Sequence, residues 1–327
     1  MRALKVISLF DGMANGAQAL DEARVPIESY DASEINVHAM KVAKYNFSHI
    51  NHIGDVCNLD PMDYKDRDLI IGGSPCQSFS NAGNRKGLTT NDGHIIDSLP
   101  IYLFYKEMGY GYDTNSLTYF HESCLFWEFV RIYQGIKLQN PDVKFLLENV
   151  ISTEWSELIT RVMGVEGIRI NSSVVIPQNR DRMYWTNIEY TPIRKKHYDL
   201  TLDSIIPEAI AGAGSRGVPQ KNWVKTSENP YQHKQNMTVR KDRIANCLTA
   251  SGGNICRKYL NTYGEIKDIK IDQAEQLQTV TVGYTDVPGV SLNQRFKMLG
   301  NGWTVEVITH FFKCLKKEIE NKIPSKV

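Results

Sequence analysis

The stretch VISLFDGMANG, residues 6–16, opens as a strand and closes as a turn. An apolar, β-rich run reaches Phe10. Small or turn-forming residues then follow at Asp11, Gly12, Ala14 and Gly16, a spacing that lets the backbone approach a ligand just before a helix N-terminus. Outward from this point the chain alternates. Helical sequence from Gly16 to Ala23 leads to IESYDAS from Ile27, and then to helical sequence from Val37 to Asn46, the order of an α/β fold with a parallel sheet. Further strands are predicted at Asp68 to Gly72, apolar on successive residues as a strand covered on both faces should be, and at Val143 to Leu147. Residues 91–120, with GYGYDTN and few aliphatics, read as a surface loop. From about 191 to 290 the chain is rich in Gly, Pro, Asn and Gln and keeps no helical period, which predicts a smaller, irregular β-rich domain over 191–291. TVEVITHFFKCLKKEIE, from Thr304, is apolar at Val305, Ile308, Phe311, Phe312 and Leu315, so an amphipathic helix is expected to return to the first unit. The first domain is therefore 1–190 completed by 292–327.

Composition sets broad bounds. A chain of 327 residues with 42% hydrophobic and 23% charged residues is globular, neither disordered nor fibrous. Its opening residues show no signal-peptide pattern and no stretch approaches the roughly 20 apolar residues of a membrane span, so a soluble, cytoplasmic protein is expected. The six cysteines, at 57, 76, 124, 247, 256 and 314, form no C-x-x-C pair and no short Cys/His spacing, so neither a disulfide framework nor a metal site is expected. The net charge is only +1, yet between Pro192 and Lys258 basic residues outnumber acidic ones by more than two to one, a face suited to a polyanion.

In open α/β sheets ligands bind beyond the carboxyl ends of the strands. Glu34 ends the second strand, where an acid accepts hydrogen bonds from ribose hydroxyls, and Asp55 follows Gly54 where it can accept from an adenine amino group. A solvated Glu and a turn Asp are the plain alternatives. After DLIIGG comes GGSPCQSFS, residues 72–80, which puts Cys76 on a Gly/Ser/Pro loop where a ligand can meet it. Most cysteines are buried small hydrophobes, and this setting argues against that reading.

Taken together these motifs resemble the DNA cytosine-C5 methyltransferase family. Its cofactor loop is similar to Phe10-Asp11-Gly12-Met13-Ala14-Asn15-Gly16, its ribose acid to Glu34, and its adenine acid to Asp55. Its Pro-Cys loop is similar to Pro75-Cys76, its Glu-Asn-Val motif to Glu148-Asn149-Val150, and its Gln-x-Arg-x-Arg motif to Gln178 through Arg182. RIANCLTASGG, residues 243–253, resembles the segment closing the recognition domain, and Leu299 to Trp303 the final cofactor motif. The details are most similar to animal de novo enzymes and related phage enzymes. Three departures stand out: Ala14 for a commoner glycine, Ile35 where many members place Trp, and about 30 residues between GNRKGL and Ser123.

The resemblance implies a Rossmann-like, S-adenosylmethionine-dependent methyltransferase fold, a mixed sheet with helices on both faces, plus the β-rich target-recognition domain. It implies that Cys76 attacks C6 of cytosine, that Glu148 holds N3 and the exocyclic amine, and that Arg180 or Arg182 holds the flipped base or its phosphate. The S-adenosylmethionine site would add Ile35, Val56, Ser74, Pro75, Leu125, Asn301, Gly302 and Trp303 to the loop at 10–16, Glu34 and Asp55. DNA would meet Gln77, Ser78, Ser80, Gln178, Arg240, Arg243 and Thr249, together with the basic groups 194–197, 221–223 and 240–243. Double-stranded DNA is the expected partner, a monomer the expected state with a dimer as the alternative, and a bacterial or phage origin, with or without a restriction nuclease to guard against, the expected setting. An RNA-directed enzyme of the same fold is the alternative function. Its usual Cys-Phe-Thr tripeptide is absent, and a silent relative would be expected to lose Cys76 or Glu148.

Overall fold

The structure is a computed structural model, described here for residues 2–75, 88–151, 153–194, 200–214, 218–219, 238–250 and 257–321. Cys76, Gln77, Ser78 and Ser80 lie outside the described residues, as do 195–197 and 221–223 of the basic groups.

The chain runs β1 (Leu4–Leu9), α1 (Asn15–Glu22), β2 (Ile27–Ser33), α2 (Val37–Asn46), β3 (Asn51–Gly54), β4 (Leu69–Gly72), α3 (Leu99–Glu107), α4 (Phe126–Gln139) and β5 (Lys144–Val150). It continues through α5 (Thr153–Met163), β6 (Ile168–Asn171), β7 (Asp181–Thr186), β8 (Ala209–Gly214), β9 (Val218–Pro219), β10 (Thr238–Val239), β11 (Lys258–Asn261), β12 (Ile266–Asp268), α6 (Ile271–Leu277), α7 (Leu292–Asn301) and α8 (Val305–Asn321). Seven strands form one sheet in the order β3-β2-β1-β4-β5-β7-β6. The first five pair in parallel, and β7 runs antiparallel to both β5 and β6. The expected mixed sheet is present.

Side chains alternate across this sheet with the period of two that a pleated strand imposes. Val6, Ile71 and Leu146 enter one core with Ala17 and Leu20 of α1 and Val305, Ile308, Phe311, Phe312 and Leu315 of α8. Ile7, Ile70 and Leu147 enter the other, with Phe129 and Ile136 of α4 and Trp185 of β7. Burial on both faces is why these strands read as continuous apolar runs. The last helix returns as expected: Thr309 Oγ1 donates to Glu22 Oε2 at 3.0 Å, and the Phe311 ring lies 5.3 Å from that of Tyr184.

Two expectations need correction. Residues 91–120 are not merely a surface loop: they contain α3, and Ile96, Tyr102 and Phe120 are buried in the second core. Aromatic side chains join aliphatic ones in this packing, the tilted rings of Tyr102 and Phe120 lying 4.9 Å apart alongside buried Ile96, so a count of aliphatics alone was the wrong measure. The boundary near 291 is also misplaced. A second sheet, β12-β11-β8-β10-β9, does occupy the expected irregular region. However, Ala274 and Leu277 of α6, with Val280, Tyr284 and Val287, are buried in the main core, and Tyr284 Oη donates to Met13 O at 2.6 Å.

Gly300 joins the two regions. A Cβ there would collide with the backbone of Thr249 and Ala250, including Thr249 O at 2.6 Å, and backbone atoms cannot rotate aside. Gly300→Ala is expected to cost about 2 kcal/mol of stability, the scale of overpacking a filled site. Urea denaturation would show a lower midpoint at constant slope. An unchanged midpoint would mean that 249–250 yields freely.

Candidate active site

The order of the strands reverses between β1 and β4, because the chain winds outward through β2 and β3 before crossing back. Such a switch point opens a crevice at the carboxyl ends of the two central strands. Register aligns its walls, with Leu9 beside Gly72 and Gly72 beside Leu147. The loop at 10–16, the loop entered by Gly73-Ser74-Pro75, and Glu148 therefore meet in one place.

On the β1 side, Phe10, Gly12 and Ala14 all have positive φ, 58°, 63° and 65°. This left-handed kinking folds the loop tightly into the start of α1, and open space surrounds Gly12 where a side chain would stand. Glu34 holds the loop from β2: its carboxylate accepts from the backbone N–H groups of Gly12 (2.8 Å), Ile35 (2.8 Å) and Asn36 (2.7 Å). A carboxylate offers about four acceptor sites, so roughly one remains for a ligand hydroxyl. Ile35 is 71% exposed just beyond, which leaves an aliphatic face open to solvent. Asp55 caps the turn after β3, accepting from Cys57 N at 3.0 Å, with Val56 buried behind it. A nucleoside fits this set of groups: an acid with spare capacity for hydroxyls, an exposed aliphatic face for a base, and a glycine that leaves room. Leu125 sits half-buried at the entry to α4, packed against the same core as Val56.

Asp11 lies beneath the loop. Burial raises its carboxyl from the ordinary 3.8 to about 7, against the lowering effect of hydrogen bonds from Ser8 and Tyr30, whose Oη donates to Oδ1 at 2.6 Å. Asn15 is also buried, and Gly302 packs against its side chain so closely that a Cβ would stand 2.6 Å from Oδ1. The final motif thereby seats Gly302 and Trp303 against the first loop, while Asn301 is exposed beside them.

On the β4 side, β5 supplies the organising groups. Glu148 is 7% exposed and both its oxygens are engaged: Oε1 by Arg182 Nε at 3.1 Å and Oε2 by Trp303 Nε1 at 3.2 Å. The next residue, Asn149, donates to Ser74 Oγ at 3.1 Å and Ser74 O at 3.3 Å, holding the loop that leads through Pro75 to Cys76. A Cβ at Gly73 would stand 3.0 Å from Trp303 Nε1 and 3.1 Å from Glu148 Oε2, so a side chain there would press on the carboxylate and its indole partner.

The Gln-x-Arg-x-Arg motif divides into two roles. Arg182 faces the carboxylate. Arg180, expected to hold base or phosphate, is 2% exposed and gives its donors to Leu248 O (3.1 Å), Gly300 O (3.3 Å) and Gly302 O (2.7 Å), which makes it an internal staple between three segments. Gln178, expected at the DNA, is likewise fully buried: it donates to Leu277 O at 2.5 Å and accepts from Leu248 N at 3.0 Å. Both corrections have one cause, since a polar side chain on the approach to a strand can satisfy backbone groups as readily as a ligand. Of the other expected DNA residues, Arg240 is paired with Asp242 at 2.9 Å, Arg243 lies 3.6 Å from Asp203, and Thr249 is half-buried beside Gly300.

One residue at this centre was not anticipated. Cys247 Sγ lies 3.4 Å from Arg180 Nη1 and 3.8 Å from Arg182 Nη2. Burial pushes its thiol up, but the two guanidinium groups together outweigh that and hold it below the usual value. The signal was in RIANCLT, a cysteine two residues from Thr249, yet only folding brings the arginines to it. Among the described residues no group of three or more His, Cys, Asp or Glu could hold a metal ion, and no helix is long and apolar enough to cross a membrane.

Two predictions follow from these geometries. Asp11 stays protonated in the fold up to about pH 7 but ionises near pH 4 when unfolded, so folding loses stability as pH rises between those values and is unaffected by this group above them. The thermal midpoint of Asp11→Asn relative to wild type should therefore climb from pH 5 to 7 and then level; parallel profiles would exclude the buried acid. Arg180→Gln should lose about 3 kcal/mol of stability, because it strands buried carbonyls. Arg182→Gln should lose a similar amount by leaving Glu148 buried without its cation, but only this second loss should be recovered in urea denaturation when Glu148→Gln is added; recovery in both or in neither would erase the division between them.

The family model for C-5 cytosine-specific DNA methylase matches residues 4–105. The orphan methyltransferase M.SPRI of Bacillus phage SPR is 31% identical over 204 residues, 61% of this chain and 41% of the phage protein. The orphan methyltransferase M.Rho11sI of Bacillus phage rho11s is 33% identical over 192 residues, 56% of this chain and 33% of its own length. The chain thus spans less than half the length of these relatives. Among solved structures, the S. pombe Dnmt2 methyltransferase superposes with a TM-score of 0.64 at 15% identity, covering 97% of this chain and 99% of that one, which is a likeness of fold.

Proposed function

We propose that the chain is a member of the C-5 cytosine-specific DNA methylase family, a DNA (cytosine-5-)-methyltransferase acting on a cytosine flipped out of a short duplex target. The observation that carries this reading is the meeting of Glu148, Arg182 and Trp303 at the mouth of the Gly73-Ser74-Pro75 loop, at the switch point of the sheet. S-adenosylmethionine, bound over Gly12, Glu34, Ile35 and Asp55, would supply an electrophilic methyl group.

The side chains divide the remaining work. Cytosine C5 is a poor nucleophile. Attack of the Cys76 thiolate on C6 forms a C–S bond and pushes the ring electron pair to C5, which can then take the methyl carbon. Loss of the C5 proton and expulsion of the thiolate restore the aromatic ring. Glu148 retains about two of its four acceptor sites beyond those filled by Arg182 and Trp303. It can therefore hold the protonated N3 and the exocyclic amine as charge develops on the ring. Arg182 keeps that carboxylate oriented and moderates its charge, while Asn149 sets the path of the nucleophile's loop. Extruding the base costs a few kcal/mol, which basic groups of 192–258 would offset through phosphate contacts. The relatives' names, orphan methyltransferases of Bacillus phages and a type II methyltransferase of Lactococcus lactis subsp. cremoris, support a phage or bacterial setting.

The test is transfer of a labelled methyl group from S-adenosylmethionine to unmethylated duplex DNA, with the product located by cytosine-conversion sequencing. Wild type should label one short motif; Cys76→Ser should abolish labelling; Glu148→Gln should lower kcat/KM by about a hundredfold or more, the scale of losing one preorganised charge-stabilising group. Labelling of tRNA in place of DNA would transfer the assignment to the RNA-directed alternative, and no labelling of either would sink it.

A further inference from the structure

The inserted segment, about 91–120, reaches the wall assigned to the cofactor's adenine. Lys106, in the last turn of α3, donates to Cys57 O at 3.1 Å, and Arg131 of α4 donates to Val56 O at 3.1 Å and Leu59 O at 2.8 Å. Both cations rest on Glu128, a carboxylate with no solvent exposure: Lys106 at 2.5 Å, Arg131 Nε at 2.6 Å and Tyr102 Oη, also from α3, at 2.6 Å. Two peptide planes behind Asp55 are gripped in the same way. In the first, Cys57 N–H donates to Asp55 Oδ1 while Val56 O accepts from Arg131. In the second, Asn58 N–H donates to Asp55 O at 3.0 Å while Cys57 O accepts from Lys106. Rotating either plane to release its cation would also break its bond to Asp55.

We propose that Lys106 is a positioning residue for the cofactor, and that the inserted segment serves as a strut that presets Asp55 and Val56 for the adenine. This rests on the reading of that wall as the S-adenosylmethionine site. A buried Glu128 would be costly without two cations. One is native to the helix that carries Glu128; the other is delivered by the insertion, whose α3 lies over the core and buries Tyr102 in it. The turn is short and lies at the end of an edge strand, β3, so few other bonds fix it.

Isothermal titration of S-adenosylhomocysteine into the full chain tests this. Lys106→Met should raise Kd about tenfold, the effect of losing one charge-assisted hydrogen bond that preorganises the site. Lys106→Arg should restore affinity to within about twofold, since it returns a cation of similar reach. Duplex DNA affinity without cofactor, read by fluorescence anisotropy, should not move in Lys106→Met. If Lys106→Met does not fold, Lys106→Gln, which keeps the stem and a donor, should still show a rise of severalfold. Wild-type affinity in a folded Met or Gln variant overturns the inference alone, as does a parallel loss of DNA affinity, which would mark general damage. Failure of wild type to bind either S-adenosylhomocysteine or S-adenosylmethionine overturns the cofactor reading and the inference together.

Discussion

The parallel register of three strands is the constraint on which the site depends. Leu9 of β1 pairs with Gly72 of β4, and Gly72 with Leu147 of β5, so three loops leave the sheet at one level. A slip of one residue would turn every side chain to the opposite face. It would bury Ser8 and Asp11 differently and carry Glu148 away from Gly73. Register is held by the two cores, because Val6, Ile71 and Leu146 must enter one and Ile7, Ile70 and Leu147 the other. The hydrophobic pattern thus determines the chemistry's position without any of its residues touching a ligand.

Around that crevice, buried polar groups act as internal fasteners. Arg180 draws 248, 300 and 302 together, Glu128 gathers Lys106, Arg131 and Tyr102, and Gln178 and Gln278 tie 248 and 277 to the end of α7. A buried polar atom left without a partner costs about 1–3 kcal/mol, so such groups specify one arrangement of the segments they join. This is how motifs separated by more than a hundred residues come to share one site: Trp303 reaches Glu148 across 155 positions of sequence. It also explains why a motif can look reactive and prove structural.

Much was legible before folding. The strands at the ends of the main sheet's first half, the turn at 10–16, Glu34 at the close of β2 and the amphipathic last helix all stand where pattern placed them. They were readable because period and local turn chemistry are short-range. The insertion was not, since its apolar surface is carried by Tyr102, Phe120 and their neighbours, which have no aliphatic period. Nor was the boundary near 291, because α6 and Tyr284 return to the main core after an irregular stretch, and composition changes before packing does.

What the sequence by itself determined is the kind of parts and their order: a small-residue loop after β1, an acid at the end of β2, a cysteine on a Pro-containing turn, and an acid followed by Asn. These depend on residue type and spacing along one strand or turn, and they survive without knowledge of any partner. Only tertiary structure decided which polar residues face the crevice and which are spent inside. Arg180 and Arg182 differ by two positions, on one strand entry, yet one meets backbone carbonyls and the other a carboxylate. Cys247 acquires its depressed thiol, and Lys106 its place behind Asp55, from residues far away in sequence. The physical reason is that hydrogen bonding and charge act over a few ångströms of space, and those neighbours do not exist until the chain has packed.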